Sequence, residues 1–116
     1  MTDRPTDELT ARVVAEWMGW EKAYKTWDSD VFKSDRERHV PFADNDHIQR
    51  CPDPRDDTNA ALRLLGWVRT GYASQTQLAE DGRHWLVYTE RGTKAIPLSG
   101  EPFRYSVVAL AGEVCG

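Results

Sequence analysis

Cys51-Pro52-Asp53-Pro54-Arg55-Asp56-Asp57-Thr58-Asn59-Ala60-Ala61-Leu62-Arg63-Leu64-Leu65-Gly66-Trp67-Val68 is the stretch whose reading decides the fold. It joins a polar, proline-containing segment to the best amphipathic pattern in the chain. Pro54 and Arg55 lead in, and Asp56 or Asp57 supplies an N-cap. Ala61, Leu64, Leu65 and Val68 then recur at i, i+3, i+4 and i+7, which predicts a helix over 57–70 with one buried stripe. Asn59, Arg63, Gly66 and Thr70 fall on the opposite face. Trp67 lies at the border, four residues after Arg63, where the two side chains can stack. Gly71 is the expected stop.

Downstream, residues 72–78 and 85–91 read as a hairpin around Glu80-Asp81-Gly82, because an Asp-Gly pair supplies the positive φ angles of a tight turn. Tyr72, Thr76 and Leu78 are expected opposite Trp85, Val87 and Thr89. Residues 93–98 extend or follow this sheet, with Pro97 favouring an edge. In the tail, Phe103, Tyr105 and Val107 alternate as a strand would. Phe103, Val107, Leu110, Ala111 and Val114 also form a helical stripe. Helix is favoured, with Pro102 in its first turn and Gly112 as its close.

Upstream, residues 28–56 show no convincing period and read as a long acidic loop or insertion. Before it, residues 21–27 alternate loosely and predict a short strand. Residues 6–18 predict a first helix, capped by Thr6 and stopped by Gly19, with Leu9, Val13, Trp17 and Trp20 on one face. The expected architecture is one α+β domain over residues 1–116.

Composition narrows the function. The 116 residues are 40% hydrophobic and 29% charged, as in a globular domain with a core of its own. The formal net charge is −4. All of that excess sits in 28–57, which holds nine acids and five bases, while the remaining residues balance at ten of each. Phosphate contacts need clustered Lys and Arg, so nucleic acid is not the expected partner. No apolar run approaches the roughly 20 residues of a membrane span. The first residues lack the basic-then-apolar pattern of a secretion signal, so the cytoplasm is the expected compartment. Cys51 and Cys115 have no CxxC spacing and read as free thiols.

The order helix, strand, loop, helix, hairpin, helix resembles the small bacteriophage proteins of the ABA-sandwich family, in which a sheet lies between two layers of helix. Three matches carry the resemblance. Trp17-Met18-Gly19-Trp20 is similar to the family's methionine-glycine-tryptophan close of the first helix. Pro54 through Ala61 looks like its proline, polar-aspartate and alanine-rich helix start. Thr70-Gly71-Tyr72 looks like its glycine-aromatic exit into a strand. Residues 28–50 are longer than the family's loop, and the C-terminal segment lacks its small-residue run and cysteine. The resemblance implies a helix–sheet–helix sandwich with a small antiparallel sheet, and a phage or prophage origin in a host cytoplasm. It supplies no catalytic residues.

Nor do the residues themselves spell out a reaction. Asp44, Asp46 and His47 are close enough in sequence to try a metal, with His39, Asp53, Asp56 and Asp57 nearby. They match neither an EF-hand nor a zinc-protease pattern, and they read as a solvated acidic loop with Asx turns. Ser74, Ser99 and Ser106 lack a nucleophile elbow, and Cys51 has no identifiable partner. His84 reads as a surface strand residue. No cofactor motif is present.

A binding site is easier to assemble from Trp20, Arg55, Asn59, Arg63 and Trp67. They combine flat rings and cations around the N-terminal end of a helix. The expected function is therefore a non-enzymatic phage-type accessory protein that sequesters a small nucleotide-like ligand, such as a host immune signal. The rival expectation is a protein–protein inhibitor or assembly factor that docks a host or phage protein through the acidic loop. A homo-oligomer is expected in either case, since Trp67 and a short sheet edge invite self-association.

Overall fold

A computed structural model of the chain describes residues 3–25, 30–34 and 49–115. Trp27, His39, Asp44, Asp46 and His47 lie outside the described residues. The elements run α1 (Asp7–Met18), β1 (Ala23–Tyr24), β2 (Val31–Ser34), β3 (Arg50–Pro52), α2 (Thr58–Gly71), β4 (Ala73–Leu78), β5 (His84–Thr89), β6 (Gly92–Pro97) and α3 (Gly100–Cys115). The class is α+β, with helices packed on antiparallel sheets.

The strands are divided between two three-stranded sheets, ordered β1-β2-β3 and β4-β5-β6. This corrects the reading of 28–56 as loop throughout, because β2 and β3 lie inside it. Phe32 pairs with Cys51, Lys33 with Arg50, and Ala23 with Ser34. Hydrophobic alternation does not announce these strands: β2 turns Phe32 and Ser34 inward and leaves Val31 and Lys33 half-buried. β3 has three residues and ends in proline. Both strands are defined by the neighbours they pair with, which a periodicity argument does not see.

Thr6 caps α1, its hydroxyl accepting the Leu9 N–H at 3.1 Å. Gly19 closes it in the left-handed region, at φ 70°. On this helix the adjacent Val13 and Val14 are both fully buried, but in different places. Val13 joins α2 (Ala61, Leu64, Leu65, Val68), α3 (Phe103, Val107, Val108) and the second sheet (Val87, Ile96). Val14 joins Ala15, Ala23, Phe32 and Cys51. Successive side chains on a helix point about 100° apart, so α1 is the partition between two small cores.

The hairpin has the expected pairs Thr76 to Val87 and Leu78 to Trp85. An irregularity between Ala73 and Gln75 sets Ala73, not Tyr72, opposite Thr89. The tail is helical and runs through Gly112 to Cys115. Gly112 is thus not the expected close. A Cβ there would sit 2.8 Å from Leu9 Cδ1, so the glycine permits α1 and α3 to touch.

At the start of α2, Asp57 alone is the cap: its Oδ1 accepts the Ala60 N–H at 2.9 Å. Asp56 instead makes a two-bond ion pair with Arg4 (2.8 and 3.0 Å) at the surface. Asp57→Ala should therefore lower stability by about 1 kcal/mol. Asp56→Ala should change it by about 0–1 kcal/mol, the range of an exposed ion pair. Urea titration of the two variants measures both costs.

A candidate ligand groove beside Trp20

The residues expected to form a binding site are not gathered at the α2 N-terminus. Arg55 is turned into the protein and is 1% exposed. Its Nε and Nη2 donate to the two oxygens of Asp53 at 3.0 and 2.7 Å, and its own N–H donates to Asp53 Oδ1 at 2.9 Å. Nη1 donates to the Pro5 carbonyl at 3.0 Å and lies 2.6 Å from Asp7 Oδ1. Lys25 Nζ adds a 2.6 Å bond to Asp53. The two cations also approach the Phe32 ring, at 5.7 Å for Lys25 and 5.8 Å for Arg55. Arg55 therefore holds the 53–57 turn to α1 and the first sheet. It is a structural tie, which corrects its expected place among the recognition residues.

Burial alone would raise the Asp53 carboxyl pKa, but the hydrogen bonds from Arg55 and Lys25 outweigh it and hold the group below the ordinary carboxylate range. The α2 end is occupied as well. Arg104 donates to the Arg55 carbonyl (2.8 Å) and to the Thr58 hydroxyl (3.3 Å). With the Asp57 cap, these contacts leave little there for an anion.

Asn59 and Arg63 are exposed on the outer face of α2. Trp67 is half-buried, packed edge-on against Tyr72 with ring centroids 5.3 Å apart. The acidic-loop docking surface loses one described member to burial and keeps another in an exposed ion pair. Asp53 is 1% exposed and Asp56 is paired with Arg4, while Asp44 and Asp46 lie outside the described residues.

Trp20 is the expected site residue that lines a cavity of ligand size. After Gly19 the chain doubles back, with the Trp20 N–H bonded to the Ala15 carbonyl at 2.9 Å, and enters β1. The corner between α1 and β1 encloses a groove of about 600 Å³, within the ~300–1,000 Å³ of small-molecule sites. Leu9, Ala11, Ala15 and Ala23 supply apolar surface, Trp20 supplies the ring, and Arg12 and Lys22 supply positive charge. Glu8, Glu16 and Glu21 also line it. The indole N–H donates to Gln49 Oε1.

No protein family, curated protein or solved structure matches this chain. The chemistry must be read from the groove itself. Two cations face three carboxylates, so a polyphosphate is disfavoured. A flat heteroaromatic of low net charge suits the ring, the apolar floor and the mixed rim. Arg12 and Lys22 were not singled out from the sequence. The available hint was their place on either side of the Trp17-to-Trp20 helix close.

Reactive chemistry finds little support in the described residues. Desolvation in the first sheet pushes the Cys51 thiol up to about 11, so it stays protonated at neutral pH. No group of three or more His, Cys, Asp and Glu among the described residues is arranged to hold a metal. His84 Nδ1 lies 2.9 Å from Asp81 Oδ2, an exposed pair at the hairpin turn. Among the described residues no helix is long and apolar enough to cross a membrane.

Proposed function

We propose that this chain is a small non-enzymatic accessory protein that binds and sequesters a compact heteroaromatic ligand of nucleoside or cyclic-nucleotide type in the groove between α1 and β1. The phage setting is an expectation of the sequence resemblance. The observation that carries the ligand reading is Trp20, which lines a groove of about 600 Å³ with Arg12 and Lys22. Stacking of a base on an aromatic ring contributes about 1–3 kcal/mol.

Thermal unfolding across nucleosides, cyclic mono- and dinucleotides and ADP-ribose derivatives tests the proposal. A ligand at about 100 times its Kd should stabilise the fold by roughly 2.7 kcal/mol. Trp20→Ala should then weaken binding by about 5- to 150-fold, and Arg12→Ala should weaken it for ligands with a negative charge. Arg63→Ala, on the outer face of α2, should leave affinity unchanged. A panel that moves no melting temperature sinks the proposal, as does binding lost through Arg63 and kept without Trp20.

A further inference from the structure

The second sheet ends in two edges of different character. On the β6 edge, Lys94 is tied to Glu113 of α3 at 3.2 Å, and Pro97 removes a backbone donor. These are devices that discourage another strand from adding. The β4 edge has neither. Its sequence Ala73-Ser74-Gln75-Thr76-Gln77-Leu78 contains no charge and no proline, in a chain that is 29% charged.

The hydrogen-bond phase of β4 follows from one bond. The Ala79 N–H donates to the His84 carbonyl at 2.8 Å, in line with the Leu78–Trp85 and Gln77–Leu86 register. Bonded and non-bonded pairs alternate along an antiparallel ladder. Gln77 therefore directs its N–H and C=O toward β5, whereas Thr76 and Leu78 direct theirs outward from the sheet.

We propose that β4 pairs antiparallel with β4 of a second copy of this chain, with Gln77 on the two-fold axis. That register sets Thr76 opposite Leu78 of the second copy, and Leu78 opposite its Thr76. Each of these is a pair of outward-facing residues, so both exchange two backbone hydrogen bonds. Gln77 then faces Gln77 of the second copy in a non-bonded position, where side chains come closest. A charged residue there would meet its own like charge, while an amide both donates and accepts. Gln77 is already ordered on the surface by its bond to the Tyr88 hydroxyl, at 2.8 Å.

Leu78, 53% exposed, is covered by Thr76 of the second copy. With Gln77 on the axis and the irregularity between Ala73 and Gln75, pairing extends no further than 75–79. The interface is therefore small and the dimer concentration-dependent. The groove beside Trp20 lies on other elements, so ligand binding and pairing are separable.

Sedimentation velocity from about 10 µM to about 1 mM tests this, across the range of a weak interface. The apparent mass should climb from 13.3 kDa toward twice that value. Gln77→Lys and Gln77→Glu should each remain monomeric, with unchanged circular dichroism because Gln77 is exposed. An equimolar mixture of the two should recover the dimer, since opposite charges then meet at the axis. Wild-type protein that stays monomeric at about 1 mM overturns the proposal, including in favour of a foreign strand as occupant. A dimer that survives in both variants overturns it too.

Discussion

Asp53→Ala should cost about 3–5 kcal/mol, because it leaves Arg55 as a buried cation without its principal partner. Both residues of this pair are 1% exposed, so water cannot take over the lost bonds without opening the turn. A domain of this size has roughly 5–15 kcal/mol in total. The variant should therefore be marginally folded, and urea unfolding of wild type and variant measures the difference. Asp53→Asn keeps one acceptor and should cost less. Replacing the pair together with apolar residues of similar volume should recover much of the loss, since the ionic pair is itself desolvated at a cost.

The same contacts predict the acid response. The folded-state pKa of Asp53 is depressed, so on acidification the unfolded chain takes up its proton first. The stabilisation is complete above the ordinary carboxylate value of about 4. It is lost as pH falls from there through the depressed folded value. Wild type should thus lose more stability than Asp53→Asn over that acid range, and the two should run parallel at neutral pH. Parallel curves down to the acid limit would mean that Asp53 is not the group responsible.

The elements that were legible in the sequence are those whose signal is local. The α2 stripe Ala61, Leu64, Leu65 and Val68 is buried as the 3.6-residue period requires. Thr6 and Asp57 cap where short polar side chains precede an apolar run. The turn at Gly82 and the Thr76–Val87 register followed from Asp-Gly chemistry and alternation. What escaped was set by distant partners. β2 has a serine where alternation would ask for an apolar residue, and it pairs with β3 across residues that no local pattern connects.

Arg55 shows the same limit at the site. Ahead of a helix N-terminus, an arginine reads as an anion receptor until Asp53, two residues earlier, is seen to take it inward. Gly112 also has a tertiary meaning: α1 lies against it, and its sequence context reads as a helix stop. Trp20 alone of the five expected residues lines the ligand-sized groove. That groove is built by the reversal after Gly19 and by β1, neither of which has a strong period.

Phe32→Ala should be about as damaging as the loss of Asp53, at roughly 3–5 kcal/mol. The ring is fully buried in the smaller core with Val14, Ala15, Ala23 and Cys51. Few neighbours are available to close the space. Phe32 also lies under the cations Lys25 and Arg55, so it joins the apolar core to the ion cluster above it. Phe32→Leu keeps most of the apolar volume and removes the ring face. It tests that link when combined with Asp53→Asn in a double-mutant cycle read by urea unfolding. Because Arg55 and Lys25 are shared partners of both residues, the two costs should depart from additivity by about 0.5–3 kcal/mol. Strict additivity would mean that ring and carboxylate hold the 53–57 turn independently. The smaller core and its ion cluster would then be two supports for α1 and the first sheet, with no energetic coupling between them.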